Sequence, residues 1–143
     1  LGLGGKGNEG VAGLVKQTPG SIGYVELIYA IQTKIAYAPV KNSAGEYVNA
    51  SLASVSGAAA TAQIPADYRV SITNAPGKGV YPISTFTWIL ATPAMKDATK
   101  KKTLHDFLEW AVTKGQVYSE GLGYAPLPKA LVQRELKDIA RIK

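Results

Sequence analysis

The 143-residue chain carries 16 Lys and Arg against 10 Asp and Glu, a formal net charge of +6 at pH 7, with a hydrophobic content of 46%. This balance is typical of one modest globular domain. With no cysteine and a single histidine, the sequence offers no disulfide framework or thiolate site and disfavours a transition-metal cluster. No apolar run approaches the roughly 18 residues that are needed to cross a bilayer.

The positive charge is spread along the chain. Residues 1–81 carry six basic and four acidic side chains, and residues 82–143 carry ten and six. The run Lys100-Lys101-Lys102 precedes a predicted helix and is interpreted as solvated surface. Nucleic-acid binding requires a continuous basic face with exposed aromatics, whereas the aromatics here occupy positions that indicate a core. The charge therefore predicts no nucleic-acid partner, and its field would only steer an anion from a distance.

The first 26 residues combine a glycine cluster, a helix signal and a strand signal. Asn8 is a favourable N-cap and an acid suits the first turn, so we predict a helix over Glu9–Gln17 that ends before Pro19-Gly20. Ile22–Glu26 then alternates as a buried strand does. The glycines before the helix are interpreted either as an anion contact at the helix N-terminus or as a structural turn.

A dinucleotide interpretation of the same glycines is an alternative. Gly2, Gly4 and Gly7 satisfy G-x-G-x-x-G, and Glu26 follows about twenty residues later, where a ribose-binding acid is expected. However, the motif requires a buried strand directly before it, and none precedes Gly2. A Walker loop is excluded because Lys6 is followed by Gly7 and not by Ser or Thr.

Up to residue 81 the remaining patterns predict two helices, a hairpin, a strand and a loop. These are a helix at Leu27–Thr33, a hairpin of Ile35–Val40 and Tyr47-Val48 around Asn42–Gly45, a surface helix at Asn49–Ala62 capped by Asn49, a strand at Val70–Thr73, and a linker-like loop at Asn74–Gly79.

Beyond residue 81 we predict a strand at Ile83–Leu90, buried on both faces, and a helix at Thr103–Thr113 capped by Thr103. A further helical turn is predicted at Gln116–Glu120, and a last helix opened by Pro128. The buried faces of the two long helices are predicted to be Leu104, Phe107, Leu108, Ala111 and Val112, and Leu131, Val132, Leu136, Ile139 and Ile142. Alternating strands and helices indicate an α/β sandwich.

The run GLGGKGNEGVAGLVKQTPGSIGYVELIYA resembles a segment in the C-terminal half of periplasmic phosphate-binding proteins, the substrate-binding subunits of phosphate ABC transporters. Three later blocks continue the resemblance over nearly the whole chain: VYPISTFTWIL, FLEWA and GYAPLP. It implies a type II periplasmic-binding-protein-like, two-lobed α/β sandwich of which this chain is the C-terminal part. Residues 1–81 would belong to the second lobe, and residues 82–143 would return to complete the first.

The resemblance implies capture of inorganic phosphate for a membrane permease, in the periplasm or another extracytoplasmic space, with a signal peptide in the preceding part. The family's Ser-Gly-Thr turn is absent, since the nearest text, Ser56-Gly57-Ala58, lacks the Thr. The main phosphate ligands would therefore lie in the N-terminal half of the same protein. The resemblance makes that half a partner of this chain, beside phosphate and the permease. The residues expected to assist are the backbone amides of Gly5, Lys6, Gly7 and Asn8, and the expected hinge is Gly79, Val80, Tyr81, Pro82 and Ile83.

Catalysis has little support in the sequence, and we expect a non-enzyme without cofactor or metal. His105 lies beside Asp106 on a predicted helix and is interpreted as a surface residue, and no G-x-S-x-G elbow occurs. Two alternatives stay open: a fragment of a dinucleotide-binding enzyme that uses the glycines and Glu26 described above, and a non-transport surface or interaction protein of the same fold.

Overall fold

The computed structural model describes residues 2–92 and 94–142, a mixed α/β arrangement dominated by helices. In chain order its elements are α1 (Gly7–Gln17), α2 (Leu27–Thr33), β1 (Val40–Lys41), β2 (Tyr47–Val48), α3 (Leu52–Thr61), α4 (Ala98–Val112), two 3-10 turns (Lys114–Tyr118 and Glu120–Leu122) and α5 (Lys129–Ile139).

The helices near the start of the chain form close to where they are predicted. The bounds of α2 match the prediction, and the helix ends at Lys34 in the left-handed region with φ 55°. Helix α1 begins at Gly7, two residues early, with Lys6 as its N-cap. The prediction of Asn8 as the cap is therefore wrong, and its side chain lies within the first turn, where it contacts Glu26 instead.

Helix α3 differs from its prediction at both its start and its exposure. It begins at Leu52 because Ser51, and not Asn49, is the cap: Ser51 Oγ accepts a hydrogen bond from Ser54 N–H at 3.1 Å, and Ser54 Oγ accepts one from Ser51 N–H at 3.0 Å. This reciprocal capping box satisfies two N–H groups of the first turn. Ser54, Ala58 and Ala59 are buried, so α3 is not the predicted surface helix.

Helix α4 is longer than predicted. It starts at Ala98 because Asp97 accepts a hydrogen bond from Lys100 N–H at 3.0 Å, so the prediction of Thr103 as the cap is wrong. The three lysines lie within the first turns of the helix, and of its predicted buried face Leu108 is buried whereas Phe107 is 52% exposed. The prediction that Pro128 opens α5 is confirmed, and Leu131 and Ile142 of its predicted stripe are buried.

The predicted strands form only in part. Residues 40–41 and 47–48 make a short antiparallel hairpin, with Val40 opposite Val48 and Lys41 opposite Tyr47. No strand is assigned to Ile22–Glu26, Val70–Thr73 or Ile83–Leu90, although all three lie within the described residues. Ile22 and Leu90 are each 97% exposed, so the predicted burial of the first and third is wrong. A strand requires the backbone of a neighbour, and the rest of the described chain provides none here.

The core is small and lies where α3 meets the stretch from Ile72 to Val80. Ala58, Ile72, Ala75 and Val80 are buried together, with Ala62 and Phe86 packed against them. The predicted linker-like loop at 74–79 therefore forms part of the core, because Ala75 lies within it.

The buried side chain of Asn42 joins the hairpin to this core. Its Oδ1 accepts hydrogen bonds from the N–H groups of Ala44 and Glu46, each at 3.0 Å. Its Nδ2 donates to the carbonyl of Val80 at 3.1 Å and to that of Gly77 at 3.3 Å. One amide side chain thus satisfies four backbone groups, and it fixes the loop before Val80 against the turn of the hairpin.

Ile72→Ala should lower the free energy of unfolding of the chain by about 2–5 kcal/mol, because it leaves a cavity beside Ala58 and Val80. Ile22→Ala removes the same atoms from a side chain that is 97% exposed, so its urea midpoint should stay close to that of the wild type. If the two variants lowered the urea midpoint equally, Ile72 would not be part of the core.

Asn42→Ala should cost about 1–3 kcal/mol, because it leaves buried N–H and carbonyl groups without partners. Asn49→Ala is the matched control, since the cap of α3 is Ser51 and the exposed Asn49 contributes only its carbonyl, which accepts from Ser54 Oγ. Thermal unfolding of both variants compares them directly, and a larger loss for Asn49→Ala would contradict this assignment of the cap.

Candidate functional site

The predicted anion-contacting turn, Gly5 to Asn8, lies at the N-terminus of α1. The first-turn amides of a helix have no intrahelical acceptor, and the helix dipole favours negative charge there. Gly5 approaches the helix closely, because an added Cβ would lie 2.6 Å from the carbonyl carbon of Gly10 and from the nitrogen of Val11. Gly7 has φ +68°. A tight structural turn thus accounts for both glycines, and the anion contact stays a prediction.

Two carboxylates lie at the same end of α1. Asn8 Oδ1 accepts from Glu26 N–H at 2.9 Å, and Asn8 Nδ2 donates to Glu26 Oε1 at 3.3 Å. Glu9 accepts from the hydroxyl of Tyr29 at 3.1 Å, and Glu26 Oε2 accepts from the hydroxyl of Tyr124 at 2.9 Å. These negative charges offset the helix dipole and would oppose an anion, whereas the nearest candidate cation, Lys6, is exposed.

The two carboxylates raise the pKa values of the two tyrosines that donate hydrogen bonds to them. The hydrogen bond to Glu9 raises the pKa of Tyr29, and the hydrogen bond to Glu26 raises the pKa of Tyr124. In each case ionisation would remove the hydrogen bond that the hydroxyl donates and would place a phenolate beside a negative carboxylate. Sequence reasoning missed both tyrosines, and the GYAPLP block was the one signal that pointed to the region of Tyr124.

The dinucleotide interpretation lacks the structural context that it needs. Gly7 and Glu26 do lie at the same end of α1, but residues 2–6 form no strand. A Cβ added at Gly2 or Gly4 would have nothing within 4 Å, so neither glycine is required by a close approach. Both oxygens of the exposed Glu26 carboxylate already accept hydrogen bonds, Oε1 from Asn8 and Oε2 from Tyr124, whereas a ribose-binding acid needs them for the sugar hydroxyls.

The predicted hinge, Gly79 to Ile83, begins in the core and ends at an exposed residue. Gly79 N–H donates to Glu46 Oε2 at 2.8 Å, and Tyr81 N–H donates to the carbonyl of Ser54 at 3.1 Å. The Pro82 carbonyl accepts from Asn74 N–H at 2.7 Å, whereas Ile83 is 66% exposed. Beyond Ile83 the segment is held again, because Ser84 is buried and its hydroxyl donates to the carbonyl of Tyr81 at 2.9 Å. The hinge assignment stays a prediction.

His105 lies on α4 with a partly exposed side chain (21%) beside the exposed Asp106, so it lies at the surface without being fully solvated. Its Nδ1 lies 3.2 Å from Asp106 Oδ1, and Asp106 also accepts from Lys102. These two interactions, with Lys102 the larger, lower the pKa of Asp106. Over residues 2–92 and 94–142 no group of three or more His, Cys, Asp or Glu side chains is placed to hold a metal ion.

An open, mainly apolar groove of about 930 Å³ lies beside the segments that follow α1. Its walls come mainly from five stretches between residues 21 and 127, with Val15 and Ile72 in addition, and they include Ile22, Tyr24, Ile83 and Phe86. Glu26 and Tyr124 lie on its wall, but the turn from Gly5 to Asn8 does not. The groove therefore exposes the side chains of the predicted strands and is not lined by the candidate anion contacts.

A family model described as a PBP superfamily domain matches residues 1–114, and the chain belongs to this superfamily. Among curated proteins it is similar to the phosphate-binding protein PstS of Xylella fastidiosa strain Temecula1, at 45% identity over 93% of this chain and 37% of that protein. PstS of Pasteurella multocida strain Pm70 is 39% identical over 93% of this chain and 39% of its own length. PstS of Methanocaldococcus jannaschii is 34% identical over 99% of this chain and 40% of its own length.

The chain thus spans about two fifths of the length of the curated relatives that it matches. The superfamily match confirms the predicted family resemblance and the fold class. None of the helices within the described residues is long and apolar enough to cross a membrane.

Glu26→Gln should lower the pKa of Tyr124 toward its ordinary value of 10, because the carboxylate that disfavours the phenolate is removed. NMR titration of tyrosine ring carbons measures this, with the Tyr124 signal assigned by Tyr124→Phe. Glu120→Gln changes a nearby exposed acid that makes no contact with that hydroxyl, so it should leave the titration unchanged. An unaltered Tyr124 pKa in Glu26→Gln would contradict the hydrogen bond.

Proposed function

We propose that this chain is part of an exported protein that binds inorganic phosphate and delivers it to the permease of an ABC transporter. The observation that carries the proposal is the similarity to proteins named phosphate-binding protein PstS, which covers 93% of this chain at 45% identity. Membership of the PBP superfamily agrees with it. The role is binding and not catalysis, in keeping with those relatives.

The proposal includes a division of labour within the polypeptide. Residues 1–81 belong to the second lobe, residues 82–143 complete the first, and the main phosphate ligands lie in an N-terminal half outside this sequence. The arginines of this chain support that division, because none of them lines the open groove and each contacts other groups of the described chain. Arg69 pairs with Asp67 at 2.9 Å, Arg141 pairs with Asp138 at 3.0 Å, and Arg134 donates to the carbonyls of Ile64 and Pro65.

The proposed mechanism is capture by closure of two lobes. Phosphate is held by neutral dipoles and by few charges. The proposed contribution of this chain is the amides of Gly5 to Asn8 at the edge of the cleft, and it is a minor one because Glu9 and Glu26 offset the helix dipole there. Closure about the segment from Gly79 to Ile83 changes the surface offered to the permease, so phosphate occupancy and docking are linked through one two-state equilibrium.

Calorimetry with inorganic phosphate tests this proposal on the chain alone and on the chain mixed with the N-terminal half. We expect heat of binding only in the mixture, because the main ligands are contributed by the other half. Tight binding by the chain alone would contradict the division of labour.

No phosphate binding by the complete polypeptide would contradict the proposed function itself. It would then favour the alternative of an interaction protein that uses the same fold.

A further inference from the structure

Helix α5 is held against the stretch from Ile64 to Tyr68 by contacts between residues about 70 positions apart. The hydroxyl of Tyr68 donates to Asp138 Oδ2 at 2.6 Å. Arg134 Nη1 donates to the carbonyl of Ile64 at 2.6 Å, and Nη2 donates to that of Pro65. We call this set of five residues the Tyr68 clasp.

The same arginine packs on the tyrosine ring. Its guanidinium carbon lies 4.4 Å from the ring centroid of Tyr68, within the range of a cation–π interaction. Arg134 thus uses its planar group twice, with its edge toward two carbonyls and its face toward an aromatic ring. A lysine could not reproduce both contacts, because its ammonium is a compact point charge.

The backbone at the centre of the clasp is in an unfavourable conformation. Tyr68 has φ +60°, in the left-handed region that a residue with a bulky side chain rarely adopts. Such a conformation persists where the surroundings fix it from several sides. Here α5 holds the side chain, and Trp88 Nε1 donates to the carbonyl of Tyr68 at 3.2 Å.

Burial and the nearby carboxylates disfavour ionisation of the Tyr68 hydroxyl. Arg134, Asp138 and Glu135 act on Tyr68, whose pKa is raised to about 12 by burial first and then by the hydrogen bond to Asp138. The hydroxyl therefore keeps its proton at neutral pH and remains a donor. Within the described chain Glu135 Oε2 is buried without a hydrogen-bond partner, and burial raises the pKa of that carboxyl.

The other side-chain contacts between residues 1–81 and 82–143 include the packing of Phe86 against the core, the hydrogen bond from Trp88 to the carbonyl of Tyr68, and a few weaker contacts. Tyr124 reaches Glu26 by one exposed hydrogen bond, and Ser56 Oγ lies 3.4 Å from the carbonyl of Pro126, at the limit of a hydrogen bond. The clasp is the place where several strong contacts converge across the proposed boundary near residue 81.

We propose that the Tyr68 clasp is a positioning device that fixes the orientation of the 82–143 segment against the 1–81 segment, and that it thereby sets the balance between lobe orientations that phosphate shifts. Tyr68 and Arg134 are positioning residues and do not touch the phosphate. The inference rests on the proposed function and on the proposed division of the chain into lobes.

The test uses the complete polypeptide with spin labels on cysteines introduced at Lys41 and Lys137, two exposed positions on either side of the boundary. Tyr68→Phe removes the bond to Asp138, and Arg134→Lys keeps the charge but loses the fork on the two carbonyls. We expect both variants, folded by circular dichroism, to shift or broaden the distance distribution measured by electron–electron resonance. We also expect them to change the phosphate dissociation constant by about threefold or more, as a population shift requires.

Arg69→Gln and Tyr118→Phe are the controls, because Arg69 is exposed next to the clasp and Tyr118 is 62% exposed. Both should retain the wild-type distances. If Tyr68→Phe does not fold, Arg134→Lys decides alone. Unchanged distances in folded clasp variants would overturn the proposal. A wild-type protein that binds no phosphate would instead refute the proposed function, and the distance measurement would still decide on the clasp.

Discussion

The structure depends on the requirement that the backbone N–H and carbonyl groups of an extended segment find partners. In this chain the stretches around Ile22 and from Ile83 to Leu90 have the composition of buried strands, yet no strand pairs with them within the described residues. Their apolar side chains therefore line an open groove or face solvent. An exposed apolar surface of this kind marks a binding site for a ligand, a membrane or another protein segment, and the proposed function assigns it to the N-terminal half. The chain spans about two fifths of the length of its PstS relatives, which agrees with that interpretation.

The early part of the chain is stabilised by a small core and by one buried amide side chain. The packing of Ile72 and Val80 on α3 explains why the loop between them is not a linker, and Asn42 fastens the hairpin to the same loop. Beyond Pro82 the chain stays on this core as far as Phe86, and the later helices contact the earlier part through the Tyr68 clasp and a few single hydrogen bonds. The proposed boundary between the lobes, near residue 81, therefore lies inside a packed region.

Local sequence predicted the helices better than their ends, and it predicted the strands poorly. Helix α2 matched because its apolar spacing is a local property, whereas α3 and α4 each had two polar residues that could cap, and Ser51 and Asp97 were the ones that did. Strand pairing is decided by distant backbone, so no local pattern could reveal the unpaired state of Ile83–Leu90. At the candidate site Glu26 is predicted as a ribose-binding acid, a role that its contacts do not favour. Its hydrogen-bond partner Tyr124 is 98 residues away along the chain. No spacing rule in a single sequence predicts such a contact.

Hydrogen exchange measured by mass spectrometry is the most direct test of one hypothesis. It is that the two unpaired strand-like stretches form strands only with backbone from outside this sequence. The amides of residues 22–26 and 83–90 would be followed in the chain alone and in the complete polypeptide. We expect rapid exchange in the chain alone and strong protection in the complete protein, while the amides around Ile72 stay protected in both. Equal protection of residues 83–90 in the two samples would contradict it, because those backbone groups would then already have partners within this chain.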